Sequence, residues 1–514
     1  MSAPVNVAAW LLARNLERSP AKAAYLCGDD ILTHAALVAD AARFANLLRA
    51  RGLGPGDRVV LVLPDSFAAV KAFLGAMLLA AAPVPVSAQL AQADYAFILE
   101  DCGAKALVTW EDSSAALAAR GSATVSCVLA CSLHGPWGLA DHPSEFEAVP
   151  PPEDLPGFML YSSGSTGRPK GVVHRQEDLL VPAAGWGGEV LGVSGADVIF
   201  SASKLSFAYG LASSLGLTLV AGATAVLLPG KPGPYELFAT LSRHRPTLFF
   251  CVPTLYNMML RAYEPGAADM DIASLRLCFS AGEALPEGLC REWMRATGVE
   301  ILDGIGSTEA MNVFICNRPG QVRCGASGVV VPGYEARLVD DAGAPVPGGT
   351  PGNLHVRGVG IATGYWSRPE KTREAMLPDG WLATGDVCVR EGGVFSHRGR
   401  SDDMLKVGAH WVSPVQVEEG VRTHPAVLDC AVAGGAVEGL VRPCAHVVLR
   451  PDFEAGPGLA TEILRHARHA LPPQMCPVRV LFHDDLPKTP TGKVQRFRLR
   501  QLNGGEGIAH GQEC

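Results

Sequence analysis

The hydrophobic pattern of the chain is that of an alternating α/β protein. Short runs rich in branched aliphatic residues alternate with stretches whose apolar positions recur at helical spacing: RVVLVLP at 58–64 runs into SFAAVKAFLGAMLLA, and DYAFILEDCGA at 94–104 runs into KALVTW. This alternation predicts parallel strands joined by crossover helices. A second series comprises DVIFSAS at 197–203, ATAVLLP at 223–229, TLFFCVP at 247–253, LRLCFSAG at 275–282 and VEILDGIG at 299–306. Several of these runs end at Gly or Ser followed by polar residues. Open α/β sheets bind ligands beyond the carboxyl ends of their strands, so a site is expected there.

Past about residue 325 the runs shorten and turns rich in Gly, Pro and Asp separate them, as in VDDAGAPVPGGTPGN at 339–353. This texture predicts an antiparallel region appended to the main sheet. GRSDDMLK at 399–406 reads as a hydrophilic joint, and the remainder has its own alternation (DCAVAG, CAHVVLR, ATEILRHARHAL, VRVLFH), enough for a small domain. The expected architecture is therefore α/β: a large N-terminal domain over 1–401, built of α/β sheets plus an antiparallel β region, and a small α+β C-terminal domain over 402–514. The total of 514 residues agrees, being too many for one hydrophobic core.

Composition narrows the function classes. With 48% apolar and 18% charged residues the chain has the make-up of a folded enzyme. A formal charge of -8 leaves no basic stripe to neutralise nucleic-acid phosphates, so no nucleic acid is expected as a partner. The first twenty residues mix charges among the apolar positions and lack a cleavage motif, unlike a signal peptide. The longest apolar stretch, 72–86, contains Pro83 and Pro85 and falls short of the ~20 residues of a membrane span. A cytoplasmic protein with no membrane span is expected.

Fourteen cysteines in a chain of this length are not disulfide density, and none forms a CxxC pair. Most should be buried thiols. Cys127, Cys131 and His134 have the residue types of a metal group, but the run VSCVLAC reads more simply as a strand carrying small buried cysteines.

The segment YSSGSTGRPKG at 161–171 packs glycines, hydroxyls and one lysine directly after the apolar FML. Small residues let backbone N–H groups turn toward an anion, hydroxyls add donors and Lys170 adds charge, a combination suited to a polyphosphate. It is not a Walker A loop, since GxxxxGK[ST] cannot be laid on it. Nor is there a Rossmann fingerprint: in GVGIATG Thr363 stands where the third glycine belongs, and in GIGSTE Glu309 does. A solvated Ser/Gly turn would have the same composition.

YSSGSTGRPKG resembles the signature loop of the adenylate-forming superfamily, which holds acyl-CoA ligases, firefly luciferase and peptide-synthetase adenylation domains. Further motifs follow in that family's order: SAGE at 280–283, DGIGSTE at 303–309, TGD at 384–386, GRSDD at 399–403 and PKTPTGKVQR at 487–496. Within the family the resemblance is closest to benzoate-CoA ligases, through FSASKLSFAYGL at 200–211, GIGSTEA and DDMLKVGAHWVSP at 402–414.

The resemblance implies a set of roles. Ser162, Ser163, Gly164, Ser165, Thr166, Gly167 and Lys170 would grip the ATP phosphates; Gly282, Glu283, Asp303, Ile305, Ser307 and Thr308 would hold adenine and the α-phosphate. Glu309, with Thr166, would be associated with Mg²⁺, which typically takes one or two carboxylates plus substrate phosphates. Asp386 would accept from the ribose hydroxyls and Arg400 would donate to ribose or phosphate. Phe207, Ala208, Tyr209 and Gly210, with Gly304 and Gly306, would line a slot for an aromatic ring, although an aromatic pair at a spacing of two also fits one face of a strand.

Lys493 would be the catalytic lysine, bridging the substrate carboxylate and the α-phosphate. The C-terminal domain would swing about a hinge at Asp402, and Gly408, Ala409 and His410 would line the path of coenzyme A. Where relatives often carry glycine after the hinge, Ala409 adds a methyl group, so weakened or normal use of coenzyme A is expected. SKLSFAYG contains no acid to pair with an ammonium, which disfavours an α-amino acid and leaves a benzoate or an aminobenzoate.

The implied activity is an ATP-dependent aryl carboxylate:CoA ligase that forms an acyl-adenylate and then releases AMP. Two alternatives remain: an adenylation enzyme that loads an acyl carrier protein, and a non-catalytic nucleotide-binding relative. A homodimer is compatible with either.

Overall fold

A computed structural model describes residues 5–110, 113–131, 138–162, 168–407, 410–437, 440–488 and 494–503. The chain divides into two compact units, one formed by Met1–Ala336 and Val356–Leu382, the other by Arg337–His355 and Ala383–Cys514.

The first unit is built on the strands that the apolar runs predict. A nine-stranded sheet has the order Val329–Val330, Asn312–Cys316, Ile301–Ser307, Leu277–Ala281, Leu248–Cys251, Val198–Ser201, Thr224–Val226, Ala23–Cys27, Asp30–Thr33. Its interior pairs are parallel, and antiparallel partners close both edges. The helices Pro234–His244, Pro253–Ala262 and Glu287–Thr297 return the chain between parallel strands. Each buries residues three or four apart, Leu237, Phe238 and Leu241 on the first, Tyr256 and Met259 on the second, Cys290 and Trp293 on the third, and these share one core. Proline at the first turn starts two of these helices, and Gly298, at φ 71°, ends the third.

A second, parallel sheet in the order Ala82–Pro85, Arg58–Leu61, Ala106–Trp110, Cys127–Cys131 accounts for the first alternating series. A three-stranded antiparallel sheet of Phe158–Ser162, Lys170–His174 and Gly364–Tyr365 carries the predicted phosphate segment.

The strands Tyr334–Val339, Gly352–Gly358, Trp381–Glu391 and Val394–Arg400 form a four-stranded sheet in that order, with the last two antiparallel. Further along the second unit, strands Val427–Val437, Leu440–Leu449 and Arg479–Phe482 pack on helices Pro414–Arg422 and Pro457–Ala470. The core between them includes Val417, Val421, Val432, Val447, Ile463 and Val480. Asp402 lies in this unit, on the turn Ser401–Asp403.

Among the described residues no helix is long and apolar enough to cross a membrane, and no group of three or more His, Cys, Asp or Glu is placed to hold a metal. Cys127 starts a strand, and His134 lies outside the described residues. Most described thiols are buried. One pairing that the sequence did not signal joins Cys290 to Cys324 across 34 residues as a disulfide.

Candidate functional site

The two ends of the phosphate segment lie on paired antiparallel strands, Phe158–Ser162 and Lys170–His174. Tyr161 pairs with Gly171 and Ser162 with Lys170, while Ser163, Gly164, Ser165, Thr166 and Gly167 lie outside the described residues. The Tyr161 hydroxyl donates to Asp101 Oδ2 at 2.7 Å, and Asp101 Oδ1 accepts from Arg368 at 2.5 Å. The first arm is thereby fastened to the segment that follows Tyr365. Ser162 Oγ is buried with no partner among the described residues.

The second arm, Lys170–His174, presents Lys170 and His174 to one turn, Thr308–Ala310. Lys170 Nζ lies 4.0 Å from Glu309 Oε1 and 4.0 Å from the centroid of the Tyr365 ring, and the Tyr365 hydroxyl donates to the same Glu309 oxygen at 2.8 Å. The ring's negative face and the carboxylate both hold the ammonium. Four residues on, His174 Nε2 meets the Thr308 carbonyl at 2.9 Å and Nδ1 meets Asp178 Oδ2 at 3.2 Å. Both ring nitrogens are thereby engaged, one by the turn and one by Asp178. His174 is fully buried and stacks on Phe158 at 4.9 Å. The turn itself is capped by Ser307, whose hydroxyl accepts from Ala310 N–H at 3.2 Å.

Upstream of that turn, Asp303 sits buried in the strand Ile301–Ser307, where its parallel pairing with Leu277–Ala281 ends. Burial pushes its carboxyl up to about 7, against hydrogen bonds from Ser327 and from the backbone of Gly304 and Leu285 that favour ionisation. Its Oδ1 has no hydrogen-bond partner among the described residues. An acceptor in that state suits a donor such as an exocyclic amine. The next strand over, Leu277–Ala281, ends at Gly282, whose φ of +91° favours glycine. Glu283 beyond it accepts from the Thr254 hydroxyl at 2.9 Å.

The segment expected to line an aromatic slot joins the same strand ends. Phe207 caps the short helix Ala208–Leu211, so the pair Phe207 and Tyr209 is not the face of a strand. Phe207 and Ala208 are half-buried. The Tyr209 hydroxyl donates to the Phe279 carbonyl at 2.9 Å, and burial pushes it well above its ordinary pKa, so it stays a neutral donor. Trp186, Phe250 and Phe279 complete an aromatic group around Tyr209, with centroids 5.1 to 6.4 Å apart. Gly304 and Gly210 permit close approach. A Cβ on Gly304 would lie 2.6 Å from the Phe279 ring, and one on Gly210 would lie 2.2 Å from the Lys204 carbonyl oxygen. Ile305 is buried and Gly306 exposed on the same strand.

In the second unit, Asp386 and Arg400 face each other across the Trp381–Glu391 and Val394–Arg400 pair. Asp386 Oδ1 lies 3.2 Å from His397 Nε2 and 3.3 Å from Arg400 Nη1, which also donates to the Thr384 carbonyl at 2.6 Å. Burial raises the Asp386 carboxyl, but the His397 hydrogen bond and the charges of Arg400 and His397 outweigh it and hold the group down at about 2. Gly385 makes room, since a Cβ there would be 2.5 Å from the Arg400 guanidinium. His410 begins the strand His410–Val412, while Gly408, Ala409 and Lys493 lie outside the described residues.

The family described as AMP-binding enzyme matches residues 12–366, and the AMP-binding enzyme C-terminal domain matches residues 416–493. The chain belongs to the AMP-binding enzyme family. Among AMP-binding enzymes it is 40% identical to the benzoate--CoA ligase of Thauera aromatica, an alignment covering 96% of this chain and 95% of that one. The crystal structure of a benzoate CoA ligase from Burkholderia xenovorans LB400 superposes with a TM-score of 0.89 at 39% identity, covering 96% of this chain and 100% of that one. An anthranilate CoA ligase, solved with anthranoyl-AMP, superposes with a TM-score of 0.91 at 37% identity, covering 98% of each chain.

In this AMP-binding enzyme the first unit gathers Lys170, Thr308, Glu309 and Asp303 along adjoining strand ends. His174, Tyr365 and Asp101, which no motif singled out, hold that group in place.

Proposed function

We propose that the chain is an ATP-dependent aryl carboxylate:CoA ligase acting through an acyl-adenylate, on benzoate or a substituted benzoate such as an aminobenzoate. Its likeness over nearly its whole length to a benzoate--CoA ligase and to an anthranilate CoA ligase carries the reading. In the first half-reaction a carboxylate oxygen attacks the α-phosphorus of ATP and the bond to pyrophosphate breaks. In the second, the sulfur of coenzyme A attacks the acyl carbon, the bond to AMP breaks, and the thiol proton passes to solvent.

The residues divide this work. The segment 161–171 with Lys170 grips the outgoing phosphates, and Thr308 donates to the α-phosphate. Asp303 accepts from adenine through the Oδ1 that has no partner among the described residues; Asp386 accepts from ribose. Glu309, held by Tyr365 and Lys170, would be the carboxylate that holds Mg²⁺. When bound, the ion would neutralise charge building on the phosphates. Phe207, Ala208 and Tyr209, whose hydroxyl meets the same Phe279 that Gly304 packs against, give the ring an apolar surface with few polar groups, as small-molecule sites require. Lys493, on a mobile part formed by 402–514, brings the carboxylate and the α-phosphate together.

Measuring AMP release with benzoate, with and without coenzyme A, tests the reading. Turnover that depends on coenzyme A supports it. Adenylate formation that coenzyme A never resolves would favour loading of a carrier protein, and no nucleotide turnover with any acid would point to a non-catalytic relative. A panel of benzoate, 2-aminobenzoate, hydroxybenzoates and a medium-chain fatty acid sets the substrate class; turnover of the fatty acid alone would sink the aryl assignment.

A further inference from the structure

The Cys290–Cys324 crosslink joins two segments that meet at Asp303. Cys290 is 1% exposed on the helix Glu287–Thr297, and Cys324 is half-buried in the chain between the strands Asn312–Cys316 and Val329–Val330. Leu285, just before that helix, donates its N–H to the Asp303 carboxylate, and Ser327, just past Cys324, donates its hydroxyl to the same group. The segment of Cys324 also starts from Asp303, since Asn317 N–H donates to the Asp303 carbonyl at 2.9 Å.

The segment 317–327 is folded on itself. The Asn317 amide donates to the Ala326 carbonyl at 2.6 Å, and its oxygen accepts from Arg323 N–H at 2.8 Å. Cys324 lies between the residues so tied. Beside it Gly325, at φ +84°, brings the backbone against the first residue of the helix: a Cβ there would lie 3.1 Å from Glu287 Oε2. The sulfur bond therefore fastens a preformed loop to the helix. The span of 34 residues that it closes contains both Asp303 and the turn Thr308–Ala310, and a crosslink restricts the chain it closes.

We infer that Cys290 and Cys324 are positioning residues for Asp303: their crosslink holds together the two segments that donate to its carboxylate, and a dithiol that reduces the crosslink loosens the grip on the adenine amine. This rests on the reading of Asp303 as the adenine acceptor. The Oδ1 left for the nucleotide stays aimed only while both donors hold the carboxylate in place. In the reduction a thiolate of the dithiol attacks the Cys324 sulfur, the more exposed of the two, and the Cys290 thiolate leaves. The second sulfur of the dithiol then closes on the first and releases the Cys324 thiolate. Two electrons pass to the crosslink, the dithiol becomes a disulfide, and the two protons it gives up end on the two cysteines.

The experiment compares the full-length wild type equilibrated with oxidised glutathione and with dithiothreitol, thiols being counted in denaturant to show the state of the crosslink. Reduction should raise the KM for ATP roughly 5- to 10-fold, leave the KM for benzoate within about twofold, and cut the preference for ATP over ITP by a similar factor of roughly 5 to 10. ITP carries a carbonyl where adenine carries its amine, so that ratio reads Asp303, and a general loss of stability does not move it. Cys324→Ser should behave as the reduced protein does, with or without dithiothreitol; Cys290→Ser repeats the test if Cys324→Ser does not fold. A KM for ATP and a nucleotide preference that reduction leaves within about twofold overturn the inference. So does a dithiothreitol response that persists in Cys324→Ser, and so do Cys290 and Cys324 thiols that never pair under oxidised glutathione. Asp303→Ala separates the two readings. If it still prefers ATP to ITP as wild type does, the reading of Asp303 fails; if it loses the preference and reduction does not, the inference about the crosslink fails.

Discussion

His174 Nε2 lies 2.9 Å from the carbonyl oxygen of Thr308, across 134 residues of sequence. A buried imidazole thus fixes the main chain of the turn that carries Thr308 and Glu309. Replacing it with Ala takes the ring away from both that carbonyl and the Asp178 carboxylate. The expected cost is roughly 2 to 4 kcal/mol of stability together with a fall in the adenylation kcat. Thermal unfolding and pyrophosphate release check the two parts. A variant that is destabilised yet adenylates at the wild-type rate would show that the contact serves folding alone.

Tyr365 has two separable functions. Its hydroxyl holds Glu309 and its ring holds Lys170. Tyr365→Phe keeps the ring and loses the hydroxyl, so stability should drop by only about 1 kcal/mol while the Mg²⁺ concentration needed for half-maximal adenylation rises. Tyr365→Leu should additionally raise the KM for ATP, because Lys170 loses its aromatic support. Initial rates over a Mg²⁺ titration distinguish the two variants.

Asp303 makes the stability of the ligand-free protein depend on pH. Its carboxyl is raised from 3.8 to about 7, so its contribution is fully present below the ordinary carboxyl range and is lost as pH climbs through about 7. The upper bound on that loss is about 4 kcal/mol. Asp303→Asn cannot ionise, and the difference in melting temperature between variant and wild type should shift in the variant's favour from pH 5 to pH 8. Parallel curves over that range would refute the assignment.

Asp386 has the opposite sign. Held at about 2, it contributes stability above the ordinary carboxyl range, and that contribution disappears as pH falls through about 2. At neutral pH the depression is worth about 2 kcal/mol. Asp386→Asn should forfeit it and leave Arg400 and His397 without their carboxylate. The KM for ATP should rise about tenfold or more, with the KM for benzoate little changed.

The order of strands and helices was legible because apolar periodicity reports directly on burial: each run from DVIFSAS to VEILDGIG became a parallel strand of the main sheet. Lys170 stood out because a polyphosphate site needs contiguous small and hydroxylated residues, whereas Thr308 and Glu309 were singled out only through the resemblance of DGIGSTE to a family motif. What escaped were partners set by tertiary pairing. Tyr365 meets Glu309 across 56 residues, and Tyr161 meets Asp101 across 60. No local spacing encodes such contacts. The Phe207 and Tyr209 spacing was compatible with a strand, yet Gly210 lets the backbone pack against the Lys204 carbonyl and a short helix forms instead. The Cys290–Cys324 crosslink was silent for the same reason, its partners being brought together only when the sheet is built.

The strand Lys170–His174 gives the site an unusual vulnerability. Both of its site residues reach one turn because they project from the same side of the strand, and side chains alternate with a period of two. A slip of one position along Phe158–Ser162 would turn both away at once. Gly171, between them and packed within 2.8 Å of Met159 and 3.3 Å of Tyr161 for any added Cβ, guards that alignment. Damage there would remove phosphate grip and turn anchorage as a single event, so substitutions at Gly171 and His174 should fail to add.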